Sequence, residues 1–421
     1  MRILHISETD YEGGAGVAAL ALHRELCRQG ADSRFLAECV RHRDDTTRSI
    51  SGLYGFPARL WRRLGSELAG LPLRRYPQRI ATAWSVGGVR RGTLAAVRRW
   101  QPDLVHLHWI GQAMAGREIG QLGVPVVWTH HDWGAFTGGC RCPIACRRFE
   151  TGCGACPLLG SQDPGDLSQQ TCARKVRDWA QVQMHSIAVG SGMAADVRAS
   201  QVLGRFPCEV IPNGIDVQRF QPMDRAAARA RLGIEPQAFV ILFGAYSVTS
   251  PWKGAAELAQ ALALWRQREP QKRACLATLG LGALPPLACE LPVKALGFQA
   301  SPEAMAQAYS AADLVVMPSH IESFGLMAAE AAACGTPTVA FAGTGVADIV
   351  RHGETGFLAR PRDPAALADG IAWASALTPE ARAQISVACR QDCVGRFALE
   401  KVAAAHIARY QQLVANGSRP S

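Results

Sequence analysis

The stretch VVMPSHIESFGLMAAEAAACGTPTV, residues 315–339, decides how the rest of the chain is read. An apolar, β-branched run over 314–317 enters a polar turn, and an Ala-rich segment over about 325–334 leaves it as a helix that Gly335 and Pro337 stop before the next strand. Strand, turn, helix, strand is the unit of a parallel sheet. Open α/β sheets take ligands at the carboxyl ends of their strands, where a helix N-terminus offers unpaired N–H groups and partial positive charge to phosphate. Gly325 lets a ligand come close to the backbone. Glu322 and Glu330, eight residues apart, bracket the turn. A carboxylate repels phosphate, so each suits hydroxyls on either side of it. Phosphate with hydroxyls at both ends describes a nucleotide sugar; the competing reading is a solvent-facing Ala-rich helix that carries a Glu without consequence.

Extended to PSHIESFGLMAAEAAACGTPTVAF, residues 318–341, the run resembles the Glu-x7-Glu signature of the retaining glycosyltransferases of family 4. The resemblance implies the α/β GT-B fold, two Rossmann-like domains with parallel sheets facing an interdomain cleft. It also implies that Glu322 contacts the donor sugar hydroxyls and Glu330 the ribose, with Phe324, Gly325 and Leu326 on the donor-binding side. A chain of 421 residues suits two domains of roughly two hundred each. The expected division is 1–208, an N-terminal acceptor domain; 209–395, a C-terminal nucleotide-sugar donor domain; and 396–421, a closing helix that packs back on the first domain.

Apolar residues make up 48% of the chain and charged ones 19%, enough for two buried cores and too few charges for a disordered chain. The N-terminal MRILHIS reads as a first strand and not a signal peptide, and no run reaches the ~20 apolar residues of a membrane span. A cytoplasmic protein is expected, peripheral on the inner face of the cytoplasmic membrane. The net charge is +10, and between Pro57 and Trp100 ten arginines face the single Glu67, a net +9. Trp61, Leu64, Leu68, Leu71, Tyr76 and Trp84 are interleaved with them, as in an amphipathic stretch resting on an anionic membrane surface. A solvated basic face is the plainer alternative. Nucleic acid is not expected as a partner, because no motif for it accompanies the charge.

The segment 3–6 is a short buried strand, followed by a Gly-rich turn at 13–16 and a helix from about 17 to 29. Such a turn can cradle phosphate, which makes Gly14 and Gly16 donor-side candidates by resemblance. Strands at 104–107 and 124–129 follow, the second ending in His130-His131-Asp132. A histidine at a strand end is better placed to act than one on a helix face. The pattern Thr-x-His-Asp resembles that of family members in which the His contacts the transferred sugar, here His131. His106 and His108 read as packing or acceptor-side residues. Cys140, Cys142, Cys146, Cys153 and Cys156 fall within seventeen positions. The set Cys140, Cys146, Cys153 and Cys156 supplies four thiolates, enough for a tetrahedral structural zinc; free thiols and disulfides are the alternatives. The surrounding HHDWGAFTGGC (130–140) and TGCGACPLL (151–159) resemble the branch of family 4 that builds colanic acid and other bacterial exopolysaccharides.

The last strand of the first domain is expected at 188–191, and PNGID (212–216) before Phe220 resembles the family's interdomain junction. A strand near 239–247 opens the second domain, followed by Lys253-Gly254 and a helix from about 255 to 267. A lysine in a strand-to-helix turn suits a pyrophosphate, and in the family a Lys-Gly here binds the diphosphate. Many members add an arginine just after that strand, where this chain reads Gly244-Ala245-Tyr246-Ser247. Phe298 falls where the family contacts the base. No Asp-x-Asp occurs, so no catalytic divalent ion is expected. Glu322, His131 and Lys253 are the catalytic candidates of a retaining, hexosyltransferase-type enzyme. It would move a sugar from a nucleoside-diphosphate sugar to a saccharide or lipid-linked acceptor in exopolysaccharide or lipopolysaccharide synthesis. A GT-B nucleotide-sugar epimerase or phosphorylase, or a non-catalytic scaffold with a degenerate donor site, are the alternatives.

Overall fold

The computed structural model describes residues 1–11, 13–50, 68, 70–80, 84, 92–111, 113–284, 287, 289–299 and 301–417. The chain divides into two compact units, Met1–Pro212 with Val402–Ser421, and Asn213–Lys401. Half of the basic run at 57–100, including Arg59, Arg62, Arg63, Arg90 and Arg91, lies outside the described residues.

The first unit is built on β1 (Arg2–Thr9), β2 (Asp32–Cys39), β3 (Thr47–Ser49), β4 (Leu104–Leu107), β5 (Val126–His130), β6 (Met184–Ala188) and β7 (Cys208–Val210). They pair in parallel in the order β3-β2-β1-β4-β5-β6-β7. β4, β5 and β6 are buried along their whole length, as central strands of a parallel sheet are, and they bury His106, Thr129, His130, His185 and Ser186 among their apolar residues. Ile3, Leu104, Val127 and Ile187 pack against Leu22 and Leu26 of the helix Gly13–Arg28 and against Val402, Ala403 and Tyr410 of the last helix, Leu399–Gly417.

Two expectations are corrected in this unit. The first helix starts at Gly13, so the glycines at 13–16 form its opening turn and not a separate loop. Gly13 has φ +67°, and Gly16 is buried so close to β1 that a Cβ would lie 2.8 Å from the Thr9 carbonyl oxygen; the glycines let helix and strand pack. The strand expected at 188–191 ends at Ala188, because Gly190 is already the N-cap of the next helix, Ser191–Ala199. β7 is therefore the last strand of this sheet.

The second unit holds β8 (Phe239–Ser247), β9 (Ala274–Leu281), β10 (Val293–Gly297), β11 (Leu314–Met317), β12 (Thr338–Phe341) and β13 (Gly356–Ala359), again parallel, in the order β10-β9-β8-β11-β12-β13. The chain runs outward from β8 to one edge and returns to start the other side with β11, so β8 and β11 flank the point where strand order reverses. Crevices for ligands form at such points, at the carboxyl ends of the strands. Phe243, Leu258, Trp265, Val316, Phe341 and Leu367 fill the core beneath them.

Candidate functional site

Two groups of candidate residues are described, one in each unit. In the second unit, β8 leads through residues 248–254 into the helix Ala255–Arg268, and β11 leads through 318–325 into the helix Leu326–Ala333. Both helices start at a glycine in the left-handed region, Gly254 at φ +73° and Gly325 at φ +104°. An L side chain at 325 would be strained, and its Cβ would lie 2.7 Å from Val346 Cγ2. Neither cap is occupied by a side chain, so the first N–H groups of both helices remain open to a ligand. The loops are pinned together by His320 N–H donating to the Trp252 carbonyl at 2.9 Å, and Gly345 N–H holds the Glu322 carbonyl at 2.8 Å.

Between these helix starts, Lys253 Nζ donates to Glu322 Oε2 at 2.6 Å, with side chains 23% and 16% exposed. The cation expected on a diphosphate and the carboxylate expected on sugar hydroxyls are thus bonded to each other. Glu330 sits on the helix Leu326–Ala333 and takes a 2.7 Å hydrogen bond from the Tyr309 hydroxyl on Oε2, while Oε1 has no partner among the described residues. Burial raises its carboxyl to about 7, against the opposing pull of the Tyr309 bond. Phe298 is exposed and packs edge to face on exposed Tyr246, ring centroids 5.8 Å apart. Tyr246 stands in the place where the expected arginine is missing, and the two rings lie at 77° to each other, so each offers its own exposed face to a planar ligand. Leu326 is partly buried. Phe324 departs from its expected role: its ring is 1% exposed and packs edge to face on Phe397, which makes it core.

In the first unit, a cavity of about 430 Å³ opens at the carboxyl ends of β4 and β5. His131 lines it together with His108, Trp109, Asp132, Arg141 and Lys175. Asp132 accepts from Gly134 N–H at 2.8 Å and from Arg141 Nε at 3.0 Å, and the Arg141 guanidinium lies 4.4 Å above the Trp109 ring. Lys175 donates to the carbonyls of Gly134 and Thr137, both at 2.7 Å, and burial lowers its ammonium to about 8. Arg117 and Arg174 also line the cavity, and neither has a carboxylate partner among the described residues. His131 pairs through Nε2 with His108 Nδ1 at 3.2 Å, and burial lowers it to about 4, so it is neutral at physiological pH. Of the two glycines expected on the donor side, Gly14 is exposed in the first helical turn and Gly16 is buried.

Cys140, Cys146, Cys153 and Cys156 line one small apolar cavity and are all free thiols. Their sulfurs are not drawn together as a zinc set: among the described residues, the one His/Cys/Asp/Glu group with ligand atoms within 4.8 Å is His5, His106 and His108. Cys153 instead accepts from Gly138 N–H at 3.3 Å and pairs with the thiol of Cys172. Sequence reasoning missed Tyr246, Tyr309, Arg141 and Lys175, whose roles depend on partners distant along the chain.

A family model described as Glycosyltransferase Family 4 matches residues 12–219, and one described as Glycosyl transferases group 1 matches residues 238–376. The D-inositol 3-phosphate glycosyltransferase of Segniliparus rotundus is 32% identical over 333 residues, covering 76% of this chain and 68% of the relative. The chain belongs to glycosyltransferase family 4. Proteins of the same description from Actinosynnema mirum and Geodermatophilus obscurus are 38% and 41% identical, but the chain spans only 43% and 39% of their length. Among solved structures, sucrose-phosphate synthase from Thermosynechococcus elongatus superposes with a TM-score of 0.68 at 19% identity, covering 99% of this chain and 100% of that one. Anabaena HepE, in complex with UDP and glucose, gives 0.66 at 19% identity over 98% of this chain and 100% of that one. These likenesses identify the fold as GT-B. The family 4 match covers the first unit's cavity, and the group 1 match covers every donor-side candidate from Tyr246 to Glu330.

Proposed function

We propose that this family 4 chain transfers a glycosyl group from a nucleoside-diphosphate sugar to a hydroxyl of an anionic, lipid-linked saccharide acceptor in bacterial exopolysaccharide or lipopolysaccharide synthesis. The observation that carries the reading is the pair of glycine-capped helix starts in the second unit, with Lys253 between them and Glu322 and Glu330 on either side. Departure of a nucleoside diphosphate builds negative charge on its terminal phosphate. The open N–H groups after Gly325 and the Lys253 ammonium would stabilise that charge, the term that usually dominates such catalysis. Glu322 would accept from sugar hydroxyls and Glu330 from the ribose, while Tyr246 and Phe298 would stack on the base. Retention of anomeric configuration and the contact of His131 with the sugar follow from the family.

On the acceptor side the support is the first unit's cavity, where Arg117 and Arg174, neither with a carboxylate partner among the described residues, offer guanidinium groups to a phosphate. The basic run at 57–100 supports attachment to an anionic membrane surface, and among the described residues no helix is long and apolar enough to cross a membrane.

One observation favours the scaffold reading: Lys253 is already held by Glu322, and the second cation is missing at Gly244–Ser247. The deciding experiment is a calorimetric titration with UDP-, GDP- and ADP-sugars, with and without EDTA, on the wild type, Glu322→Ala and Lys253→Ala. Saturable binding of one donor that survives EDTA and weakens in both variants is expected. A folded wild type that binds none of them would move the scaffold reading to the front.

A further inference from the structure

His5, His106 and His108 bring a ring nitrogen each within 4.8 Å of the others, a spacing a metal could use. The hydrogen bonds point elsewhere. His106 uses both nitrogens, Nε2 with the Thr129 hydroxyl at 2.8 Å and Nδ1 with the Tyr410 hydroxyl at 2.6 Å. His108 also uses both, Nε2 with His5 Nδ1 at 3.0 Å and Nδ1 with His131 Nε2 at 3.2 Å. A metal would have to displace these bonds. Left intact, they form a continuous chain, His5–His108–His131, running from the core of the first unit to the wall of its cavity.

Each ring in this chain is held neutral by burial, His5 and His108 well below the usual imidazole range and His131 at about 4. A neutral imidazole carries one N–H, so both links can be satisfied in only two ways, with every proton pointing outward or every proton pointing inward. The buried end chooses between them. His5 Nε2 is buried and has no hydrogen-bond partner among the described residues. With the protons inward it would be an orphaned N–H, the rarer and more costly defect; with the protons outward it is a bare lone pair. Outward, His5 Nδ1–H donates to His108 Nε2, His108 Nδ1–H donates to His131 Nε2, and His131 must keep its own proton on Nδ1. That nitrogen has no partner among the described residues.

We propose that His5 and His108 are positioning residues that lock His131 in its Nδ1–H tautomer, so that the cavity wall presents a neutral hydrogen-bond donor to an oxygen of the ligand. An unconstrained neutral imidazole favours the other tautomer, with the proton on Nε2. Without the chain, His131 would turn an acceptor toward the same oxygen. What the ligand is rests on the glycosyltransferase reading; the tautomer does not.

The test is long-range proton–nitrogen NMR on the full chain with labelled histidine, for the wild type, His108→Phe and His108→Gln, with donor kinetics in parallel. The His131 signals are assigned from a His131→Asn variant. The wild type is expected to carry the His131 proton on Nδ1, and His108→Phe, which breaks both links, to move it toward Nε2. His108→Gln can accept from His5 and donate to His131 and is expected to restore Nδ1–H. Transfer by His108→Phe is expected to fall about tenfold, the size of one hydrogen bond, with recovery in His108→Gln. A wild-type proton on Nε2, or a His131 pattern unmoved in a folded His108→Phe, would overturn the proposal. A wild type with the Nδ1–H signature and no transfer activity would leave the chain standing and reject the assigned function.

Discussion

Lys253 Nζ and Glu322 Oε2 lie 2.6 Å apart, so the cation proposed for a leaving diphosphate is held by a carboxylate contributed by another strand-to-helix turn. The pair keeps the ammonium partly desolvated and aimed between the two helix starts. A diphosphate arriving there must share or displace the bond, and donor binding and ion-pair geometry are therefore coupled.

Removing either partner is expected to leave the fold intact at a cost of about 1–3 kcal/mol, because the pair is largely buried and the remaining group loses its partner. Lys253→Ala should lower kcat/KM by about 10²-fold or more through loss of leaving-group stabilisation. Glu322→Ala should weaken donor binding through the sugar hydroxyls, and the double variant should lose less than the two single losses combined, because both act on one bond. A double-mutant cycle in kcat/KM, read beside thermal melts, checks this; strictly additive losses would show that the two residues act independently.

Glu330 titrates near neutrality, which gives donor binding a definite sign with pH. Its folded value of about 7 lies above the ordinary 4.5 because burial disfavours the charge. In the proposed function ribose hydroxyls would donate to the carboxylate, so affinity should rise between about pH 6 and about pH 8 as the group ionises. Stability should move the other way over the lower window: between about 4.5 and about 7 the folded state holds a proton that the unfolded state releases, so its contribution falls as pH rises. Calorimetry and melts across this range on wild type and Glu330→Gln provide the check, and Glu330→Gln should flatten both curves.

Gly325 cannot be replaced without cost. At φ +104° an alanine is strained, and its Cβ meets Val346 Cγ2 at 2.7 Å, so Gly325→Ala should lose about 1–3 kcal/mol of stability. The same shift would move the N–H groups of the helix Leu326–Ala333. Donor affinity should fall by more than the stability loss accounts for; melts and donor titration on one preparation separate the two effects.

The sequence showed the donor-side elements well because their signals are local. β11 spans residues 314–317 as its apolar run implies, and the helices after Gly254 and Gly325 begin where glycine and the Ala-rich periodicity place them. What the sequence could not show is set by pairing across the sheet. His5 and His106 face each other because β1 lies beside β4 in parallel register, and His131 joins them because β5 lies beyond β4. The His5–His108 contact spans 103 residues of chain and the His108–His131 contact 23, distances that periodicity does not reach. Phe324 failed as a binding residue for the same reason: its partner Phe397 is on a helix 73 positions later.

Arg117 and Arg174 test the acceptor side. Both line the first unit's cavity with no carboxylate partner among the described residues, and both are exposed, so replacing them should change stability by less than ~0.5 kcal/mol. If the acceptor presents a phosphate to this cavity, Arg117→Gln combined with Arg174→Gln should raise the acceptor KM by about 10²-fold, each charge-assisted bond being worth ~1.5–3 kcal/mol. The donor KM should stay unchanged, because no donor-side residue is touched. High salt should weaken wild-type acceptor binding and leave the double variant nearly insensitive, since screening acts on the charges the variant lacks. Steady-state kinetics at two salt concentrations, with a phosphorylated acceptor and its neutral analogue, give the reading: discrimination between the two acceptors should vanish in the double variant, and its persistence would place phosphate recognition outside this cavity.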